Sequence, residues 1–206
     1  MCGIVGYVPG IRPSPDAEAL FVRLWRESLV RGRHAAGLAQ PSPTGPNVHR
    51  ALHLEADLLA QFDYTRPAIA HTRYSTSGDW RTEANNQPIV LGQLALAFNG
   101  VIHMGTKAEF EAAFGVTCDT DNDGEVFLRL LAQGEKPEEV LRSLSGSFAG
   151  VWLDSGALLA GRNARRPLWR AHALGAHWYA STRDIFRRAG IADVREVTPL
   201  RVEVMW

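Results

Sequence analysis

The last third of the chain carries four apolar runs of strand length, at 148–153, 158–162, 168–173 and 177–181, with nothing of helical length between them. A parallel pair needs a crossover of about a dozen residues or more, so strands this closely spaced must pair antiparallel. Earlier segments group the same way. A strand at 3–8 opens the chain, short strands at 37–40 and 48–52 flank a proline-rich tip at 40–47, and further strands follow at 68–74, 87–92 and 94–98. Helical spacing is confined to other stretches. Leu20, Phe21, Leu24, Trp25 and Leu29 follow a Ser14-Pro15 start and end at Gly32, a short helix is expected over 54–61, and Thr106 to Glu109 forms a capping box ahead of Phe110 and Phe114. Helices at 125–133 and from Pro137 towards Gly146, a short one near Ile185 and a last strand at 200–205 complete the pattern. Strands in blocks, with helices set apart, predict an α+β fold of antiparallel sheets.

The 206 residues fit one domain, read as spanning 1–206. Formal net charge is zero, which gives no global field to attract nucleic acid or anionic lipid. No apolar run is long enough to span a bilayer, and the N-terminus lacks a signal-peptide layout. Cys2 and Cys118 are too few for a disulfide framework or a zinc cluster, and the expected setting is cytoplasmic.

Cys2 is the residue on which chemistry turns. If Met1 is removed, Cys2 carries a thiol beside a free α-amine, whose ordinary pKa of about 7.7–8.0 lets it act as a base near neutrality. The apolar, Gly-flanked run from Gly3 to Val8 then holds the new terminus in a buried strand. The competing reading is a small buried side chain with an inert thiol.

Three further places carry functional types. Arg73 ends an apolar strand, where a guanidinium needs an anionic partner and is shaped to clamp a carboxylate, or else reaches solvent. Asn99-Gly100 reads either as a hairpin turn or as an amide and a backbone N–H aimed at one oxyanion. Asp121, Asp123 and Glu125 precede a helix, as caps or as a site for an ammonium; calcium-loop spacing is absent. His71 offers a papain-like dyad with Cys2. The Arg162, Arg165 and Arg166 cluster reads as a solvated strand edge, not a phosphate patch.

In order, Cys2-Gly3-Ile4-Val5-Gly6, Arg31-Gly32 with Ala36-Gly37, His71-Thr72-Arg73-Tyr74-Ser75-Thr76, Asn86-Gln87-Pro88, Asn99-Gly100 and Asp123 resemble the class II glutamine amidotransferase domain, an N-terminal-nucleophile hydrolase. The likeness continues through 144–149 and Arg166-Pro167-Leu168 to Ala180-Ser181. The wording of these motifs is similar to that of amidophosphoribosyltransferase and of glucosamine-6-phosphate synthase. The resemblance implies a four-layer αββα sandwich of two antiparallel sheets, with Cys2 at one sheet's end. It implies that Cys2 attacks the glutamine amide, that Asn99 and Gly100 hold the oxyanion, and that Arg73, Asp123 and backbone around Thr76 bind the amino acid. It implies no metal and no organic cofactor. Tyr74 to Arg81 would be a loop closing over glutamine.

Two departures stand out. The family wording Arg-Gly-x-Asp-Ser-Ala-Gly becomes Arg31-Gly32-Arg33-His34-Ala35-Ala36-Gly37, which loses an acid and a hydroxyl near the nucleophile. A compensating hydrogen bond or weaker activity is expected. The acidic turn reads Asp123-Gly124-Glu125, which leaves Asp121 open as an alternative to Asp123 for the ammonium anchor. Three functions follow as expectations. The first is a glutaminase subunit without a fused synthase, passing ammonia to a separate one. The second is an amidase on another amide or γ-glutamyl substrate, and the third a non-catalytic glutamine-binding regulator.

Overall fold

A computed structural model describes residues 1–52, 56–102 and 105–206. The elements in order are β1 (Gly3–Val8), α1 (Asp16–Ser28), β2 (Ala35–Gln40), β3 (Asn47–Ala51), β4 (Ala68–Arg73), β5 (Ile89–Leu91) and β6 (Leu94–Val101). Then come α2 (Lys107–Phe114), α3 (Glu125–Ala132), α4 (Pro137–Ser143), β7 (Ser147–Asp154), β8 (Ala157–Arg162), β9 (Trp169–Ala173), β10 (Ala176–Ala180), α5 (Arg183–Arg188), β11 (Val194–Glu196) and β12 (Val202–Met205). Short 3-10 helices cover Leu29–Arg31, Ala56–Gln61 and Glu83–Asn85. The helix expected over 54–61 is thus a 3-10 helix from Ala56, and its first residues lie outside those described.

The strands form two antiparallel sheets, one of order β11-β9-β10-β1-β4-β2-β3 and one of order β12-β8-β7-β6-β5. Side chains alternate across each strand and build three apolar layers. Between the sheets, Ile4, Val8, Ala39 and Ile69 of the first meet Ala95, Ala97, Ala149, Val151 and Ala160 of the second. Outward, Val5, Tyr7, Ala68, Ala70 and Trp178 pack under α1 and α5. On the far side, Leu96, Phe98, Phe148 and Trp152 pack under α2, α3 and α4, where the Trp152 ring stands edge-on to Phe127 at 5.1 Å. The expected four-layer αββα sandwich is present, and the small inward residues let its two sheets lie close.

The alternation also places the polar residues. In β1 the inward positions are Ile4, Gly6 and Val8, and Cys2 continues that row past the end of the strand. The inward row of β4 is Ile69, His71, Arg73, and that of β6 is Ala95, Ala97, Asn99. Because β4 runs antiparallel to β1, with Gly3 opposite Thr72, its end lies beside the start of β1. The space between the sheets therefore turns polar at the end where Cys2, His71, Arg73 and Asn99 converge.

Two sequence readings need correction. Asn99-Gly100 is not a turn, because β6 runs through it to Val101 and pairs with β7, Asn99 opposite Ala149 and Gly100 opposite Phe148. A Cβ at Gly100 would lie 2.4 Å from the Ser147 carbonyl oxygen and 2.5 Å from Phe148 Cα, so glycine here serves the close approach of β7. Strand β11 was not expected. It contributes one apolar residue, Val194, at a sheet edge, too little for a period to show.

Candidate active site

Cys2 is buried, 8% exposed, just ahead of the central strand of the larger sheet. Its carbonyl accepts from Arg31 Nε at 2.7 Å and from Ser181 Oγ at 3.4 Å, while Ser181 Oγ also accepts from the Ile4 N–H at 2.7 Å. These bonds fix the backbone on both sides of the thiol. The Cys2 N–H donates to Asn99 Oδ1 at 3.1 Å. That bond sets the orientation of the Asn99 amide and leaves Nδ2 buried without a hydrogen-bond partner among the described residues. An unpaired buried donor is costly unless something arrives to accept from it.

The Cys2 thiol donates to the Tyr74 carbonyl at 3.4 Å. Burial pushes its pKa up, against smaller opposing effects of that hydrogen bond, the chain's amino terminus, Arg73 and Arg31. Attack by this sulfur therefore needs a base beside it. His71 is ill suited to that work. Its Nε2 lies 3.0 Å from the Phe98 carbonyl, bridging the two sheets, and burial, with Arg73 nearby, holds its pKa down to about 3. The Sγ hydrogen bond runs to Tyr74 and none runs to this imidazole, whose Nδ1 has no partner among the described residues.

Arg73 is 2% exposed. Its Nη1 donates to Asn86 Oδ1 at 2.9 Å; its Nη2 donates to the Ser77 carbonyl, to the Gly78 carbonyl at 3.1 Å and to Ser75 Oγ at 3.3 Å. Asp123, also buried, accepts from the Ile102 N–H at 2.6 Å and from Ser77 Oγ at 2.9 Å. Ser77 thus presents an oxygen to the guanidinium and a hydroxyl proton to the carboxylate. Asp121 is exposed at the surface and holds Asn85 through its Oδ2 and backbone N–H. Helix α3 has no side-chain cap, and Glu125 instead accepts from the Asp119 and Thr120 N–H groups at 2.8 and 2.7 Å.

Cys2, Arg73, Thr76, Gly100 and Asp123 line one cavity, together with Ser77, Gln87 and Asn122. Asp121 does not reach it. The cavity has a volume of about 10 Å³, room for about one water, and Tyr74, Thr76 and Ser77 of the 74–80 segment form part of its wall. Gln87, absent from the sequence-based site, accepts from the Phe98 N–H at 2.5 Å and holds β6 against the 86–88 segment. Its signal was its place in the Asn86-Gln87-Pro88 motif. Among the described residues no group of three or more His, Cys, Asp or Glu is placed to hold a metal ion.

Gly32 makes a testable structural claim. A Cβ there would sit 2.3 Å from the Arg73 carbonyl carbon and 2.4 Å from the Tyr74 nitrogen. Gly32→Ala is expected to cost at least about 1–3 kcal/mol of stability by forcing these backbones apart. An unchanged urea midpoint would show that the two segments do not touch in solution.

A family profile described as "Glutamine amidotransferase domain" matches residues 71–188. Among curated proteins, the glutamine–fructose-6-phosphate aminotransferase of Bacillus licheniformis is 31% identical over 166 residues, covering 75% of this chain and 27% of that protein. The amidophosphoribosyltransferase of Rhizobium etli is 27% identical over 219 residues, covering 95% of this chain and 42% of that protein. This chain spans less than half the length of either relative. Among solved structures, the glutamine phosphoribosylpyrophosphate amidotransferase of B. subtilis superposes with a TM-score of 0.79 at 22% identity, over 98% of this chain and 47% of that one.

Proposed function

The chain belongs to the glutamine amidotransferase domain family, in its class II form, and from that premise we propose that it hydrolyses the side-chain amide of glutamine through a thioester on Cys2. The observation that carries this reading is the single cavity shared by Cys2, Arg73, Thr76, Gly100 and Asp123. In the proposed mechanism Met1 is removed and the Cys2 α-amine takes the thiol proton. Sulfur attacks the amide carbon, and the oxyanion accepts from Asn99 Nδ2 and the Gly100 N–H. The ammonium formed at Cys2 returns its proton to the leaving nitrogen, and ammonia departs. Water, deprotonated by the same amine, then cleaves the thioester to glutamate and restores the thiol.

Burial lowers the pKa of the amino group at the chain start, and Arg31 and Arg166 lower it further against Cys2. A Cys2 amine beside the same guanidiniums stays unprotonated, and so a competent base, at lower pH than an exposed one. Arg73 and Asp123 bind the α-carboxylate and α-ammonium, far from the scissile bond, and turn binding into orientation. Asp123 takes this role in preference to Asp121 because it lines the cavity. Glutamine must then displace Ser77 from both anchors, which requires the 74–80 segment to swing aside and close again over the substrate. Residues 1–206 act in this reading as a glutaminase unit in the cytoplasm, handing ammonia to a synthase subunit.

Purified protein assayed for glutamate release from glutamine, beside a panel of other amides, tests the reading. Turnover of glutamine is expected. Turnover of another amide alone would replace it with the amidase reading, and glutamine binding without turnover with the regulatory one.

A further inference from the structure

His34 stands where the resembled family has an acid, and the fold puts its side chain on the segment that covers the cavity. Gly32 lets the 32–34 connection run against the end of β4, where the His34 N–H donates to the Arg73 carbonyl at 2.9 Å. The ring then does two things. Its Nδ1 accepts from the Ser75 N–H at 3.0 Å. Its face stacks on Tyr74, with centroids 5.0 Å apart and planes at 23°, and on Trp80, at 5.4 Å and 20°. The Arg81 guanidinium lies 5.0 Å from the Trp80 ring centroid and extends the stack.

We infer that His34 is the clasp of the 74–80 segment, a positioning residue that sets how often the cover over Cys2 opens. One imidazole ties the start of the segment to its far end, so opening must break two ring contacts and one hydrogen bond together. The rest of the segment is fastened from beneath: Arg73 holds the Ser77 and Gly78 carbonyls, and Asn86 Nδ2 donates to the Trp80 carbonyl at 2.7 Å. Those inner bonds are the ones a zwitterionic ligand replaces at Arg73 and Asp123. The His34 stack lies outside them, on a surface where Tyr74 is 50% exposed, and no ligand in the cavity substitutes for it. It therefore re-forms once a ligand has entered and returns the segment to the closed position. The inference rests on the proposed function for the identity of the molecule admitted, but not for the motion.

Alkylation of Cys2 by iodoacetamide reads the motion without glutamine. The reagent is small and needs no amino-acid anchor, and Cys118, 2% exposed beneath α2 and α3, is an internal control. The ratio of the two rates is followed by peptide mass spectrometry. His34→Ala is expected to raise Cys2 alkylation by about tenfold relative to Cys118, the size expected for losing two ring contacts and a hydrogen bond at a half-exposed site. His34→Phe, which keeps the stack, and His34→Asn, which keeps an acceptor for Ser75, should each restore part of the protection. Trp80→Leu should raise the rate as well, and the double variant should exceed the single ones little. An unchanged Cys2 rate in His34→Ala, or equal rises at Cys2 and Cys118, would overturn the clasp and leave His34 as a stabilising surface residue. Absence of glutaminase activity in the parent protein would defeat the proposed function instead, with the alkylation ratio still deciding the clasp.

Discussion

Protein that retains a residue ahead of Cys2 is expected to release glutamate about 10²–10⁴-fold more slowly than protein with Cys2 at its terminus, the span a positioned general base contributes. The reason is electronic. With Met1 in place the Cys2 nitrogen is an amide, whose lone pair is delocalised into the carbonyl and takes no proton from the thiol. It still donates to Asn99 Oδ1, so the fold accommodates the extension while the proposed chemistry does not. The thiol needs this help, since burial pushes its pKa up. Intact mass and glutamate release should be compared for processed protein and for a form whose extension resists removal, with matching thermal melts. Full activity in the extended form would end the terminal-amine mechanism.

Replacing Asn99 by alanine should lower kcat by about 10²–10³-fold with little change in KM, because an oxyanion needs that donor far more than a ground-state amide does. Asn99 is fully buried, and its Nδ2 has no partner among the described residues, which leaves it unspent for the proposed oxyanion. The substitution also removes the acceptor for the Cys2 N–H, so some stability is lost. Melting temperature must be followed beside kinetics. A variant that melts early yet keeps kcat would make Asn99 a structural residue only.

Much of this site was legible because its chemistry is written in residues that strands place by simple alternation. Cys2, Arg73 and Asn99 each continue an inward-facing row, and Gly100 and Asp123 sit beside them in motifs that the sequence displays. What could not be read depends on tertiary approach. The Asn99-Gly100 pair signals a turn by local propensity, and only the nearness of β7 shows that the glycine makes room inside a strand. Asp121 and Asp123 look alike in sequence; burial of one and exposure of the other separates them. Ser77 carried no signal beyond being small, yet it holds both Arg73 and Asp123. His34 was legible only as a departure. Its Nδ1 accepts from the Ser75 N–H and its ring stacks on Tyr74, contacts that the sequence alone did not signal.

The most direct test is to quench processed protein with acid during steady-state turnover of glutamine and weigh the intact chain and its N-terminal peptide. A mass gain of one γ-glutamyl group on the peptide beginning with Cys2, labile to hydroxylamine and absent in Cys2→Ser, is the predicted result. Undiminished glutamate release from Cys2→Ser, or an adduct carried on any other residue, would contradict it.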